Sequence, residues 1–152
     1  MIAKPKNRYH PHFVAFCIFS FIPCCLTAGC SGNVPEKDNR IAQVAFDDAI
    51  KLVDAESYSQ ALPLLENAIA SGGLSADLYA EALLLRSRCF SDAGDLGKAE
   101  ADLTLSEQGS PNPAKFQLAK GTLLSKQGKK AEADAAFKAA KKIDATIKLP
   151  KL

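Results

Sequence analysis

Two stretches of this chain, LLLRSRCFSDAGDLGKAEADLTLSE (residues 83–107) and QLAKGTLLSKQGKKAEADAAFKAAK (residues 117–141), repeat one pattern of small, large and polar residues. Gly94 aligns with Gly128, and other small residues of the two stretches align at the same spacing. An earlier copy, residues 45–69, aligns with the second copy at a slightly longer spacing. Self-similarity at a fixed period of about 20–50 residues predicts a stack of one repeated supersecondary unit.

Each repeat has the pattern of two helices joined by a turn. Small residues stand three or four positions from large ones, which lets two helices cross closely. The positions predicted to pack the helices of each unit together are Ala49, Ser87 and Gly121 in the first helices and Ala61, Ala99 and Ala133 in the second. Gly94 and Gly128 are predicted turn residues because glycine adopts positive φ without strain. The first repeat departs from this pattern, since Glu56 stands where the others have glycine.

The composition agrees with a single helical domain. The chain has 152 residues, of which 47% are hydrophobic and only 7% aromatic. Ala and Leu are frequent, whereas a β-sandwich would need more β-branched and aromatic residues. The length excludes a multidomain enzyme, and the hydrophobic content excludes a chain that is disordered throughout.

Residues 1–29 have the layout of a secretory signal. Lys4, Lys6 and Arg8 form a positive start, and residues 13–28 are a run without charge. This order of a basic and then an apolar region is typical of signal peptides. An uncleaved membrane anchor is the alternative, but the run is shorter than the roughly 20 apolar residues of a membrane-spanning helix and contains Pro23.

The sequence Leu26-Thr27-Ala28-Gly29-Cys30 resembles the lipobox of bacterial lipoproteins. The resemblance implies cleavage between Gly29 and Cys30 and acylation of Cys30, and several acyl chains give stable membrane anchoring.

The predicted organisation is a lipoprotein signal peptide (1–29), a lipid-anchored flexible tether (30–39), a helical domain (40–145) with repeats at about 42–75, 80–113 and 114–147, and a C-terminal tail (146–152). Ile147 and Leu149 of this tail are expected to cover the apolar side of the third repeat.

The repeat period, about 34 residues, resembles that of the tetratricopeptide repeat (TPR) family over residues 42–145. The resemblance implies an all-α fold, a right-handed α-solenoid of about three helix-turn-helix units, whose first helices line a groove for peptide segments. The alternative is a plain bundle of three helical hairpins. The residues predicted to line the groove are Phe46, Ile50, Val53, Leu84, Arg88, Leu118, Ser125 and Lys126. Arg88 and Lys126 are the expected carboxylate clamps. The alternative for the groove is that three repeats form only a shallow one and that Phe46 or Leu84 belongs to the core.

No residue pattern predicts catalysis. The chain has no His after residue 29, which excludes a Ser-His or Cys-His pair and a His-bearing zinc site in the mature part. Cys89, next to Phe90 on an apolar helix face, is predicted to be a buried thiol. We therefore predict no catalytic residue, no metal and no cofactor, and a protein that is not an enzyme.

Charge is unevenly distributed along the chain. Residues 30–113 have 6 basic and 14 acidic side chains, whereas residues 114–152 have 10 basic and 3 acidic ones. We predict a non-catalytic lipoprotein of the bacterial cell envelope, in the outer membrane facing the periplasm, that binds another envelope protein as an adaptor or assembly factor. The alternative is a structural lipoprotein whose Lys-rich third repeat binds anionic cell-wall polymer or lipid. Head-to-tail self-association is a further expectation, and nucleic acid is not an expected partner of an exported chain.

Overall fold

The computed structural model describes residues 36–109 and 111–151, with side chains from Asn39 onward. The predicted signal peptide, the cleavage site at Gly29 and Cys30, and residues 30–35 of the predicted tether lie outside the described residues. Within the described residues no helix is long and apolar enough to cross a membrane.

The described residues form six α-helices: α1 (Glu36–Asp54), α2 (Tyr58–Ala70), α3 (Ala76–Ala93), α4 (Leu96–Ser106), α5 (Pro113–Lys126) and α6 (Lys130–Ile143). A short 3₁₀ helix, Glu107–Gly109, follows α4, and these residues contain no strand. The predicted all-α class is therefore confirmed. Helices α1 and α2, α3 and α4, and α5 and α6 form three hairpins, and α3 also packs against α2 and α5.

The first helix begins earlier than expected. The tether was predicted to extend to Asn39, whereas α1 already starts at Glu36. Residues 36–39 include no apolar residue. The helix was predicted from its hydrophobic periodicity, and a first turn without apolar residues does not show this periodicity. The predicted boundary therefore fell about one turn too late.

The small residues predicted to pack the helices together are all buried. Ala49 and Ala61 share one core cluster with Leu65 and lie at the crossing of α1 and α2. In the second hairpin Ser87 Oγ donates a hydrogen bond of 2.7 Å to the carbonyl oxygen of Ala99. A hydroxyl that bonds to the backbone of the opposite helix brings the two helices to close contact without leaving a buried donor unpaired.

The three hairpin turns share one backbone geometry. Gly94 and Gly128 adopt φ values of 85° and 79°, as predicted for the turn glycines. Glu56 adopts the same left-handed conformation, with a φ of 58°, although it is not glycine. A side chain in this region costs about 1–2 kcal/mol. The first turn therefore carries backbone strain that the other two avoid.

Two ion pairs that were not predicted from the sequence join α3 to α5. Lys115 Nζ contacts Glu81 Oε1, and Lys126 Nζ donates to Asp92 Oδ1 at 3.0 Å. The partners in each pair are 34 residues apart, so they occupy equivalent positions of consecutive hairpins. Opposite charges that are one repeat length apart in the sequence would therefore have predicted these ion pairs.

Candidate functional site

A cleft of about 720 Å³ lies between the first helices of the three hairpins and the residues that follow α6. Helix α1 contributes Ile50 and Val53 to its lining, α3 contributes Leu84 and Arg88, and α5 contributes Leu118. These are five of the eight predicted groove residues. Equivalent positions of stacked helices face the same side, which brings these five residues to one cleft.

The other three predicted groove residues do not line the cleft. Phe46 has only 1% of its surface exposed and belongs to the core of the first hairpin, so its assignment to an exposed groove is wrong. Ser125 and Lys126 lie at the end of α5, outside the lining. Lys126 is engaged with Asp92 and is therefore not a free carboxylate clamp.

The floor of the cleft is closed by core side chains. Leu84 packs in one cluster with Phe90 and Leu103, and Leu118 packs in another with Phe137. Both leucines are buried, so the continuous exposed apolar stripe that we expected is absent from the described residues. Ile50 is half-buried, whereas the other aliphatic residues that were predicted to line the groove and do line the cleft are buried.

Arg88 is the unusual group in the cleft. Its residue surface is 9% exposed, and its Nε has no hydrogen-bond partner among the described residues. Its only described side-chain hydrogen bond is from Nη2 to the hydroxyl of Tyr58, at 3.4 Å, and the guanidinium lies 5.8 Å from the centre of that ring. No acidic side chain of the described residues is paired with it. Buried cations are normally paired because desolvation disfavours the charge, so Arg88 is a cation of the cleft lining that lacks a counter-charge among the described residues.

Acidic groups stand at the side of the cleft nearest the first hairpin. Asp54 and Glu56, at the end of α1 and in the turn after it, both line the cleft. Glu81, on α3, is already paired with Lys115. The cleft lining therefore combines the buried Arg88 with acidic groups at the end of α1. It also includes lysines, one on α5 and two in the segment after α6.

The segment after α6 turns back across the cleft. Asp144 Oδ1 accepts hydrogen bonds from the backbone nitrogen and the hydroxyl of Thr146, at 2.8 Å and 2.6 Å. This turn directs Ile147 onto the cluster that contains Leu118 and Phe137, so the expected cover of the third repeat is present at Ile147. Residues 147–151 then line the cleft opposite α1, and Lys151 Nζ lies 3.8 Å from Glu56 Oε2. The reach of this segment to the first hairpin was not predicted from the sequence.

Cys89 is a structural thiol in the core. It has 2% of its surface exposed and packs in the cluster of the first hairpin. Burial raises the pKa of its thiol to about 12, because desolvation disfavours the thiolate. No group of three or more His, Cys, Asp or Glu side chains that could hold a metal ion occurs among the described residues.

We expect the Cys89 thiol to be unreactive in the folded protein. In a chain that begins after Cys30, a thiol reagent at pH 8 should label Cys89 only after denaturation, because the thiolate is the reactive form. Its folded pKa lies above the value in the unfolded chain, so its contribution to stability is complete below about pH 9 and is lost as the pH rises towards 12. Labelling of the native protein at the rate of the denatured one would contradict this assignment.

Comparison with known proteins provides no family for this chain. No protein-family model matches it, and neither the search of curated proteins nor the search of solved structures finds a similar protein.

Proposed function

We propose that this chain is a non-catalytic lipoprotein of the bacterial envelope, anchored through acylated Cys30, whose three hairpins form a TPR-type solenoid that binds another envelope protein. Three observations support the solenoid. The second and third hairpins repeat one sequence pattern, all three hairpins turn through a left-handed residue, and ion pairs join equivalent positions of α3 and α5. The site of binding is the cleft along the first helices. The role that fits this site is an adaptor or assembly factor, held at the outer membrane by its lipid.

The observation that carries the proposal is Arg88, a cation of the cleft lining that has no counter-charge among the described residues. A buried guanidinium donor with no acceptor gains a charge-assisted hydrogen bond when a ligand brings a carboxylate or a carbonyl oxygen to it. The half-buried Ile50 beside it provides apolar contact for the same ligand. An extended segment of a partner protein supplies both kinds of group at once, with backbone carbonyls for Arg88 and side chains for Ile50.

The experiment that tests this function is capture of the partner from crosslinked envelope membranes, followed by mass spectrometry. Wild type should retain one or a few proteins, and Arg88→Met should reduce their recovery about tenfold or more, since hydrogen bonds to charged groups contribute about 1.5–3 kcal/mol. Methionine retains the apolar stem of the arginine, so the substitution removes the guanidinium with little loss of packing. Substituting Leu84 or Leu118 with glutamate is unsuitable, because both leucines are buried and the charge would unfold the chain.

The matched control is Lys120→Met, which removes an exposed cation of α5 that does not line the cleft. This variant should capture the same proteins as wild type.

The exposed lysines of α6, among them Lys138, Lys141 and Lys142, favour a second function, the binding of anionic polymer or lipid. Capture that is insensitive to Arg88→Met and disappears by about 0.5 M salt, where charge interactions are screened within a few ångströms, would favour that second function and overturn the first.

Lipid attachment has a separate test. Cys30→Ala should abolish incorporation of radiolabelled palmitate and release the protein from the membrane fraction, because Cys30 is the residue to which the lipobox resemblance assigns the acyl chains. Cys25→Ala is the control and should retain the label. Retained label in Cys30→Ala would contradict the anchor and leave the cleft proposal standing.

A further inference from the structure

The segment after α6 has two parts that are held in different ways. Ile147 is an anchor, packed against the cluster of the third hairpin that contains Phe137. The part that we call the strap, residues 149–151, continues across the cleft. Leu149 is 41% exposed, and the ion pair between Lys151 and Glu56 is long and open to solvent. Ion pairs of this kind contribute little, so the strap is held far more weakly than its anchor.

The strap covers the cleft but provides no hydrogen-bond acceptor for Arg88. None of the described strap residues accepts a hydrogen bond from Arg88, whose Nε remains unpaired. The volume of about 720 Å³ remains open beneath and beside these residues. A competing segment that also brings an acceptor to Arg88 therefore gains an interaction that the strap does not provide.

The turn that faces the strap is the strained one. Glu56 adopts positive φ at the position where the other two hairpins have glycine, and its carboxylate is the group that Lys151 approaches. Strained backbone conformations persist where the surrounding structure holds them, and they cluster at ligand-binding and other functional sites. Glycine at this position would remove the carboxylate from the rim of the cleft.

We propose that the strap is an intramolecular ligand of the cleft, and that a partner segment displaces it. This partner segment is extended and has the same chemistry as the strap, with an apolar residue followed two positions later by a lysine. This inference rests on the proposed function for the identity of the site. It adds the chemistry of the partner and a competitor within the chain. The anchor at Ile147 keeps the displaced strap near the cleft, so that the strap returns when the partner leaves.

The test uses a fluorescein-labelled peptide of residues 144–151 (DATIKLPK) and the full chain, with binding measured by fluorescence anisotropy. In Leu149→Asp the strap is released, and the peptide should bind about tenfold more tightly than it binds wild type, since the lost apolar contact corresponds to roughly one factor of ten. Leu105→Asp is the matched control, because Leu105 is 39% exposed on α4 and does not line the cleft. It should bind the peptide as weakly as wild type does.

Two further variants complete the test. Adding Ile50→Asp to Leu149→Asp should abolish peptide binding, which assigns the binding to the cleft. Leu149→Asp should leave the melting temperature almost unchanged, whereas Ile147→Asp should lower it. Equal peptide binding by wild type, Leu149→Asp and Leu105→Asp would overturn the proposal, as would equal loss of thermal stability at positions 147 and 149.

The two proposals fail in distinguishable ways. If the peptide binds as described but Arg88→Met leaves partner capture unchanged, the strap is a ligand of the cleft and the adaptor function is wrong. If capture depends on Arg88 while Leu149→Asp changes neither peptide binding nor capture, the adaptor function stands and the strap is not a competitor.

Discussion

Replacing Asp102 with alanine should destabilise the protein by about 3–5 kcal/mol, because the change removes one partner of a buried ion pair and leaves the other. Asp102 accepts two hydrogen bonds from Arg86, one from Nε at 2.7 Å and one from Nη2 at 2.8 Å. The Asp102 side chain is 8% exposed and that of Arg86 20%. This pair joins α3 to α4 inside the second hairpin. Its loss leaves a guanidinium that is largely removed from water and has no counter-charge.

Arg86 cannot lose its charge by deprotonation when the carboxylate of Asp102 is removed. In wild type the hydrogen bond to Asp102 raises the pKa of Arg86, and burial opposes this effect only in part. The variant Asp102→Ala loses this increase, but an arginine side chain keeps a high pKa of its own. Arginine therefore remains charged at every pH at which the chain is folded. Replacing both partners, as in Arg86→Met/Asp102→Leu, should recover most of the lost stability, because an apolar pair needs no counter-charge.

Urea denaturation followed by circular dichroism measures both variants. The control is Asp48→Ala, which removes an aspartate that is paired with Lys51 on the exposed face of α1. That change should alter the free energy of unfolding by less than about 0.5 kcal/mol. A loss in Asp102→Ala no greater than the loss in Asp48→Ala would contradict the structural role of the buried pair.

Replacing Gly121 with alanine should destabilise the protein by about 1–3 kcal/mol, the usual range for an overpacked core. A Cβ atom at this position would lie 2.6 Å from Cε1 and 2.7 Å from Cδ1 of Phe137. The ring of Phe137 is buried with Leu118, Leu124 and Ala140 in one cluster, so these neighbours resist its displacement. The steric conflict therefore separates α5 from α6.

The matched control for this prediction is Gly97→Ala. Gly97 also lies in a helix, near the start of α4, but a Cβ atom there meets nothing within 4 Å. Alanine has the higher helix propensity, so the free energy of unfolding should stay the same or rise by up to about 1 kcal/mol. If Gly121→Ala behaves like Gly97→Ala, the close approach of α5 and α6 is not as described.

The sequence by itself determined the features that depend on neighbours along the chain. The hairpins were predictable because Ala49, Ser87 and Gly121 mark helix crossings within one repeat, and because Gly94 and Gly128 mark turns through their own φ preference. The burial of Cys89 was also predictable, since an apolar helix face of a stacked repeat has to be covered. These signals are local and periodic, so one sequence is enough to detect them.

Only the tertiary structure decided which side chains are covered by a distant part of the chain. Phe46 was assigned to the groove because it shares a repeat position with Leu84, but the packing of the first hairpin buries it. The pairing of Arg86 with Asp102, the lack of an acceptor at Arg88 and the reach of Lys151 to Glu56 likewise depend on three-dimensional proximity. Helical periodicity gives the face on which a residue lies, whereas the angle and distance between packed helices decide what that face meets.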